Sequence, residues 1–266
     1  MAEPSTFPKR ALVQGHENGR LSPESNLVAE ELRARLIPVV IKTTDEMSAE
    51  GWPVSENDLV VGDFDWTRHA LRKLCVVFPE PPDYPDCLRE LLFRRIWKST
   101  LGELNVLLLS DPTNSIFIKP AEDTKAFSGL QASVDWMDYL MQQFPPSSIP
   151  ILCSEMVEMI SEYRVYVVDG SIRSICHYKG PTEISLDIVV VEDAVRKLFE
   201  SEEGKELTGC GIDFAVMKID GKYLTGLVEV NDGYSLGAYD GISAKDYTDM
   251  LIARWIALLK GMPSPV

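Results

Sequence analysis

The run GLVEVNDGY, residues 226–234, starts as a hydrophobic strand and then sets Glu229, Asn231 and Asp232 where the strand should simply end. Side chains alternate faces along a strand, so Leu227, Glu229 and Asn231 share one side and Val228 and Val230 the other. The run before it, GIDFAVMKI, reads as its hairpin partner across Asp220-Gly221, a favoured two-residue turn pair. It turns Asp213, Ala215 and Met217 one way and Ile212, Phe214 and Val216 the other. A paired register then brings Asp213 beside Glu229 and Asn231. Two carboxylates and an amide oxygen at one spot favour a hard divalent cation, whose remaining ligands are waters and substrate phosphates. Magnesium bridged to a nucleotide is the natural occupant. The competing reading is a plain strand end, because Asn-Asp-Gly is also an ordinary turn sequence.

A matching set of cations tips the balance. Lys119 ends the apolar strand SIFIKP just before a proline, and Lys125 sits in the polar loop that follows. Arg164 shares a strand face with Glu162 and Tyr166 in EYRVYVV. Ammonium and guanidinium groups in such places suit phosphate oxygens, although each alone also reads as a surface or snorkelling charge. The three histidines, His16, His69 and His177, are isolated, and only His177, on the strand before YKG, is placed to face the site. The nucleotide signatures G-x-x-x-x-G-K-[ST] and G-x-G-x-x-G are absent, as is the zinc motif H-E-x-x-H.

The surrounding pattern supplies elements to hold these groups. ALVQG reads as a strand, SPESNLVAEELRARL as a helix with Ser22 as cap and Pro23 at its first position, and IPVVIKTT as a strand, an opening β-α-β. DLVVGDF is a third strand and WTRHALRKL a short helix. The turn-rich FPEPPDYPD places a lobe boundary near residues 79–87. Beyond it, CLRELLFRRIWKSTLGEL reads as one helix, DWMDYLMQQF as another, ILCSEMVEM as an extended segment, and EYRVYVVDGSIRSICHYKG as a hairpin closing at Asp169-Gly170. EDAVRKLFESEEGKEL is a solvent-facing helix, and KDYTDMLIARWIALLKG a closing helix ended by Gly261 and Pro263.

With 266 residues, 45% of them hydrophobic, the chain has enough for one large α/β unit or two or three small lobes with a real core. Twenty-six Lys plus Arg against forty-one Asp plus Glu give a formal charge of -15, which argues against nucleic acid or an anionic membrane as partner. Five scattered cysteines with no C-x-x-C pair read as reduced thiols of a cytoplasmic protein. The opening MAEPSTFPKRALVQ has no hydrophobic leader core, and no run approaches the roughly 18 apolar residues that span a bilayer, so neither secretion nor membrane insertion is expected.

In their order, these pieces resemble the ATP-grasp superfamily, the fold of carboxylate-amine ligases such as D-alanine-D-alanine ligase. The likeness implies an α/β protein: an ATP-grasp fold of two α+β lobes with ATP between them over residues 86–266, preceded by a small pre-ATP-grasp α/β domain over residues 1–85. The combination IKP, KAF, EYRV, G-x-DFAV and VEVNDGYSLG is similar to the clade named for one arginine and two lysines, and the resemblance assigns these to Arg164, Lys119 and Lys125.

That resemblance also implies roles. Lys119 contacts the ATP phosphates, and the loop AEDTKAFSG, with Lys125, Ser128 and Gly129, covers them. Glu155 opens a hinge whose Met156 and Val157 backbone holds the adenine, and Glu162 reaches the ribose. Asp213, Glu229 and Asn231 bind Mg2+. Arg164 and Lys179 hold the acceptor carboxylate or the acylphosphate, Lys125 completes the catalytic set, and Tyr234, Ser235 and Tyr239 line the acceptor side. The upstream phosphate contact of the ligases has three candidates here, Arg94, Arg95 and Lys98. The implied activity is an ATP- and Mg-dependent, peptide-bond-forming ligase that joins a small-molecule or peptide carboxylate to an amine through an acylphosphate; the resemblance leaves a homodimer open. The alternatives are an ATP-binding module without turnover, and an ATP-grasp enzyme that phosphorylates or modifies a nucleic-acid or peptide end.

Overall fold

The computed structural model describes residues 8–48, 53–78, 82–121, 127–144 and 149–260. The first lobe runs β1 (Arg10–Gln14), α1 (Pro23–Ala34), β2 (Val39–Lys42), α2 (Thr44–Ser48), β3 (Asp58–Val61) and α3 (Phe64–Lys73). β1 pairs in parallel with β2 on one side and β3 on the other. Parallel pairing needs crossovers, and the local chemistry starts the helices that make them. Ser22 caps α1 by accepting the Ser25 N–H at 3.1 Å, with Pro23 at the first helical position, and Asp63 caps α3 by accepting the Trp66 N–H at 2.8 Å.

The second lobe contains β4 (Ile96–Thr100), α4 (Leu101–Ser110), β5 (Ile116–Pro120), β6 (Leu130–Ala132), α5 (Val134–Gln143) and β7 (Pro150–Glu155), with an antiparallel sheet in the order β4-β7-β5-β6. Leu104, Leu108, Met137 and Leu140 of the two helices bury against Ile116, Ile118, Ile151 and Cys153 of the sheet. The third comprises β8 (Glu158–Val168), β9 (Ser171–Lys179), α6 (Ile188–Glu200), β10 (Gly209–Ile219), β11 (Lys222–Asp232) and α7 (Ala244–Lys260), with the sheet order β11-β10-β8-β9. α6 covers one face of this sheet, laying Val191, Val195 and Leu198 on Val165, Ile212 and Phe214. The opposite face carries the charges. The chain passes from the second sheet to the third through Met156 and Val157 alone.

α7 returns to the first lobe. Met250, Leu251 and Trp255 share a core with Val13, Leu32, Leu59 and Leu71, and with Tyr166 of β8. The Trp255 indole N–H donates to the Asp58 carbonyl at 2.6 Å, and Arg35 of the first lobe pairs with Asp249 at 2.6 Å.

The single helix expected over residues 87–104 is three elements: a 3-10 segment (Asp86–Leu91), then β4, then α4. Thr100 makes the division. Its hydroxyl accepts the Glu103 N–H while the Glu103 carboxylate accepts the Thr100 N–H, a capping box that starts a helix at Leu101 and leaves the preceding residues extended. Phe93, at φ 49°, turns the chain between the 3-10 segment and β4. No helix among the described residues is long and apolar enough to cross a membrane, and all five cysteines are free thiols.

Candidate functional site

On the open face of the third sheet, Glu229 opposes Asp213 and Asp213 opposes Arg164, a row across three strands. Asn231 opposes Gly211 on the same face, and its amide N–H donates to Asp213 Oδ2 at 3.2 Å. The convergence of Asp213, Glu229 and Asn231 follows the strand alternation. Leu227 does not. The register shifts between Asp213 and Phe214, so Val228 is an extra residue, and Leu227 lies opposite Phe214 in the core with Val230. This β-bulge puts Leu227 inside and leaves Glu229 facing the site.

Two cations close on these carboxylates. The Arg164 guanidinium grips Asp213 with two hydrogen bonds of 2.7 Å and lies 4.8 Å from the centre of the Tyr239 ring. It passes β10 at Gly211, where a Cβ would stand 2.4 Å from Leu236 and 3.2 Å from Arg164 itself, so a side chain there would displace Leu236 and crowd the Arg164 side chain. Lys119 comes from β5 of the other lobe and donates to Glu229 at 2.9 Å and to Asp83 at 2.8 Å, 4.6 Å from the centre of the Tyr84 ring. Asp83 was legible only as part of a turn-rich boundary. Its carbonyl accepts the Val230 N–H at 2.7 Å, which carries the interlobe segment onto the edge of β11 and its carboxylate to Lys119.

Burial works against the Lys119 charge, yet Glu229, Tyr84 and Asp83 outweigh it and hold its pKa above the ordinary lysine value. Glu229 shows the converse: burial opposes its charge, but Lys119 holds the carboxyl below the usual range. Burial pushes the Asp213 carboxyl up against the pull of Arg164, with Glu229 and Glu162 adding to the push. The donor set fits a hard divalent cation, with two carboxylates and one amide oxygen on adjacent strands of one face. Among the described residues no group of three or more His, Cys, Asp or Glu offers an alternative metal site. An incoming cation would share both carboxylates with Lys119 and Arg164 or replace those partners.

A cavity of about 580 Å³ opens here between the lobes, lined by Phe117, Lys119, Ser128, Gly129, Glu229 and Asn231. A second, of about 620 Å³, lies at the carboxyl ends of β1, β2 and β3, and the two share Phe64, Tyr234, Ser235 and Leu236 as a common wall. Phe64 and Tyr234 are stacked in that wall, with ring centres 6.0 Å apart.

The remaining expected residues fall into two groups. Glu155, Met156 and Val157 stand at the crossing between the sheets; the Glu155 carboxylate accepts the Arg95 N–H at 2.8 Å, and Met156 is exposed. Glu162 is buried on the site face of β8, accepting from the Tyr178 hydroxyl at 3.0 Å and from Lys179. Lys125 lies outside the described residues. His177 points the other way: it meets Tyr163 edge-on at 5.0 Å, on the face that α6 covers, because its neighbours Cys176 and Tyr178 take the site side. Ser235 sits in a run, GYSLG, that matches the serine-hydrolase pattern G-x-S-x-G, but in a 3-10 turn with its hydroxyl donating to the Gly62 carbonyl. Of the upstream candidates, Arg94 is spent on backbone carbonyls, Arg95 lies over Trp97, and Lys98 is exposed on β4.

Among solved structures, D-cycloserine synthetase DcsG matches with a TM-score of 0.59 at 13% identity, over 92% of this chain and 99% of its own. The ATP-grasp ligase PsnB complexed with minimal precursor matches at 0.55 and 15%, over 93% and 99%. D-alanine-D-alanine ligase from Bacillus anthracis matches at 0.54 and 13%, over 96% and 99%. At these identities the likeness is one of fold. No curated protein sequence matches. The family model for the ATP-grasp domain, family 2 of the clade named for one arginine and two lysines, matches residues 91–250, which include β4 to β11 and every charged group of the row across the third sheet. The chain belongs to that family of ATP-grasp domains.

Proposed function

We propose that the protein is an ATP- and Mg2+-dependent ligase that joins a carboxylate to an amine through an acylphosphate. One observation carries this reading: Asp213, Glu229 and Asn231 share a face with Arg164, and Lys119 reaches them from the opposite lobe. Mg-ATP would supply the transferable phosphoryl group and neutralise the charge that develops on it. Lys119, which lines the cavity between the lobes, would meet phosphate oxygens there. The backbone of Met156 and Val157 at the interlobe crossing, with Glu155 and Glu162 on either side, would take the nucleoside. Arg164 and Lys179, together with Lys125, would hold the acceptor carboxylate and the acylphosphate, a planar guanidinium suiting two oxygens. His177 is turned away, so the amine would have to arrive neutral. The cavity at the carboxyl ends of β1, β2 and β3, where open α/β sheets take ligands, shares a wall with the nucleotide cavity and is the approach for the acceptor. Relatives of this fold include PsnB, solved with a precursor peptide and AMPPNP, which supports a peptide or small-molecule acid as substrate.

The test is thermal unfolding with and without Mg-ATP, for the wild type and for Glu229→Gln. Ligand at about 100 times its dissociation constant stabilises by about 2.7 kcal/mol, roughly 5–10 °C here. The expected result is that shift in the wild type and its loss in Glu229→Gln, with ADP release only when both an acid and an amine are present. Absence of a shift in the wild type at millimolar Mg-ATP overturns the reading. A shift without ADP release for any acid and amine pair leaves a binding module.

A further inference from the structure

We propose that Arg94 is a positioning residue: a single guanidinium that fixes the interlobe crossing and the bulged strand to each other, and so sets where Glu229 points. The proposal rests on the reading of Glu229 as a metal ligand, and it adds a residue that contacts neither metal nor nucleotide.

Four hydrogen bonds carry it. Arg94 Nε donates to Ser154 Oγ at 3.1 Å, one Nη donates to the carbonyls of Leu92 at 3.0 Å and Leu227 at 2.8 Å, and the other donates to the carbonyl of Val228 at 2.7 Å. Ser154 passes the contact on, its hydroxyl donating at 2.8 Å to the carbonyl of Glu155, the residue before Met156. In a regular strand successive carbonyls point to opposite sides, so two in a row cannot face one group. Leu227 and Val228 do so because the bulge lies at Val228, and Arg94 pairs both of the carbonyls that it turns aside.

The chain around Arg94 is built to hold this geometry. Gly226 lets residues 91–93 press onto β11: a Cβ there would stand 2.8 Å from the Phe93 ring and 2.9 Å from the Leu91 carbonyl. All four acceptors are neutral. Burial lowers the Arg94 pKa, with Tyr84 and Glu229 acting against it, and the guanidinium remains charged. A lysine ammonium keeps the charge but presents its donors from one point, so it cannot span Ser154 and the two bulge carbonyls together. Without the fork, the bulge loses the donors that hold it, and Glu229, one residue beyond, loses its fixed relation to Asp213.

The experiment uses the full chain with Arg94→Lys and, as a milder change, Ser154→Ala, which removes only the arm toward the crossing. The first readout needs no nucleotide: amide hydrogen exchange of the free protein. In Arg94→Lys, exchange should rise by about tenfold, the value of one charged hydrogen bond, at residues 226–231 and 153–157 together, and stay unchanged in α6. The second is the Mg2+ concentration giving half of the ATP-induced thermal shift, which should rise by about tenfold in Arg94→Lys and by a smaller factor in Ser154→Ala. Unchanged exchange in both variants overturns the brace. Raised exchange with an unchanged Mg2+ requirement makes Arg94 structural only and overturns its role toward Glu229. A wild type that gives no Mg-ATP shift refutes the ATP-site reading, and with it that role, while the exchange data still decide the brace. If Arg94→Lys does not fold, Ser154→Ala decides alone: a local rise at residues 153–157 with a raised Mg2+ requirement supports the proposal, and no change in either overturns it.

Discussion

Replacing Arg164 by methionine should be among the most damaging single changes to this protein, and magnesium should partly undo it. Asp213 is 3% exposed, and the side chains of the pair are 9% and 4% exposed, so the ion pair is a buried one. Removing one partner of such a pair leaves an uncompensated buried charge and costs about 3–5 kcal/mol. The other hydrogen bond to Asp213, from Asn231 at 3.2 Å, is a neutral contact and cannot take over. At roughly 2–4 °C per kcal/mol the variant should melt about 6–20 °C below the wild type. Converting both residues, Arg164→Met with Asp213→Asn, removes the stranded charge and should recover most of the loss, a coupling that urea denaturation of the four proteins measures. Millimolar Mg2+ should stabilise Arg164→Met more than the wild type, because a divalent ion between Asp213 and Glu229 replaces the missing positive charge. It should do least for the double variant. A loss under about 1 kcal/mol in Arg164→Met, or an equal effect of Mg2+ on all four proteins, would refute the reasoning.

Two further outcomes follow from paired charges. Asp83→Asn removes one of the two carboxylates that compete with phosphate for Lys119, so ATP in EDTA should bind severalfold more tightly by calorimetry; weaker binding would instead make Asp83 part of the nucleotide or metal site. Asp58 is buried beneath the Arg10 fork at 2.8 Å and accepts from Ser55; burial raises its carboxyl, but these partners hold it below the ordinary range. A depressed folded-state pKa contributes stability above the unfolded value, near 3.9, and loses it as the pH falls through the folded value. Asp58→Asn should therefore be less stable than the wild type at pH 7 and lose less on going to about pH 3, read as melting temperature at the two pH values.

The site was legible wherever it depended on local alternation. Asp169-Gly170 and Asp220-Gly221 both turn with positive φ, as a tight hairpin demands, and that fixes the strands on which Glu162, Arg164, Asp213 and Asn231 sit. What escaped depends on partners distant in sequence. LVEVN alternates equally well with or without a bulge, so the burial of Leu227 follows only from its pairing with β10. β4 hid inside a run of helix formers because the Thr100-Glu103 cap, not propensity, decides where the helix begins. Asp83 looked like punctuation until the fold laid it along the edge of β11. His177 was misplaced because its strand bulges against β8 between Tyr166 and Val167, where Arg173 is an extra residue, so that His177 opposes Tyr163 rather than Glu162.

The core shared by α7 and the first lobe bears on how the chain comes to be folded. Synthesis delivers β1, α1, β2, β3 and α3 first, yet Leu32, Leu59 and Leu71 are buried against Met250, Leu251 and Trp255, which are made more than 170 residues later. Until then these elements emerge with an open apolar flank, and the two lobes that form the 580 Å³ cavity are interposed before it can close. Such long-range closure makes folding slow and exposes the nascent chain to association, so a protease should cut the first lobe readily in ribosome-bound chains that stop before α7 and spare it once α7 is out. The same dependence means that an excised first lobe would lack part of its own interior.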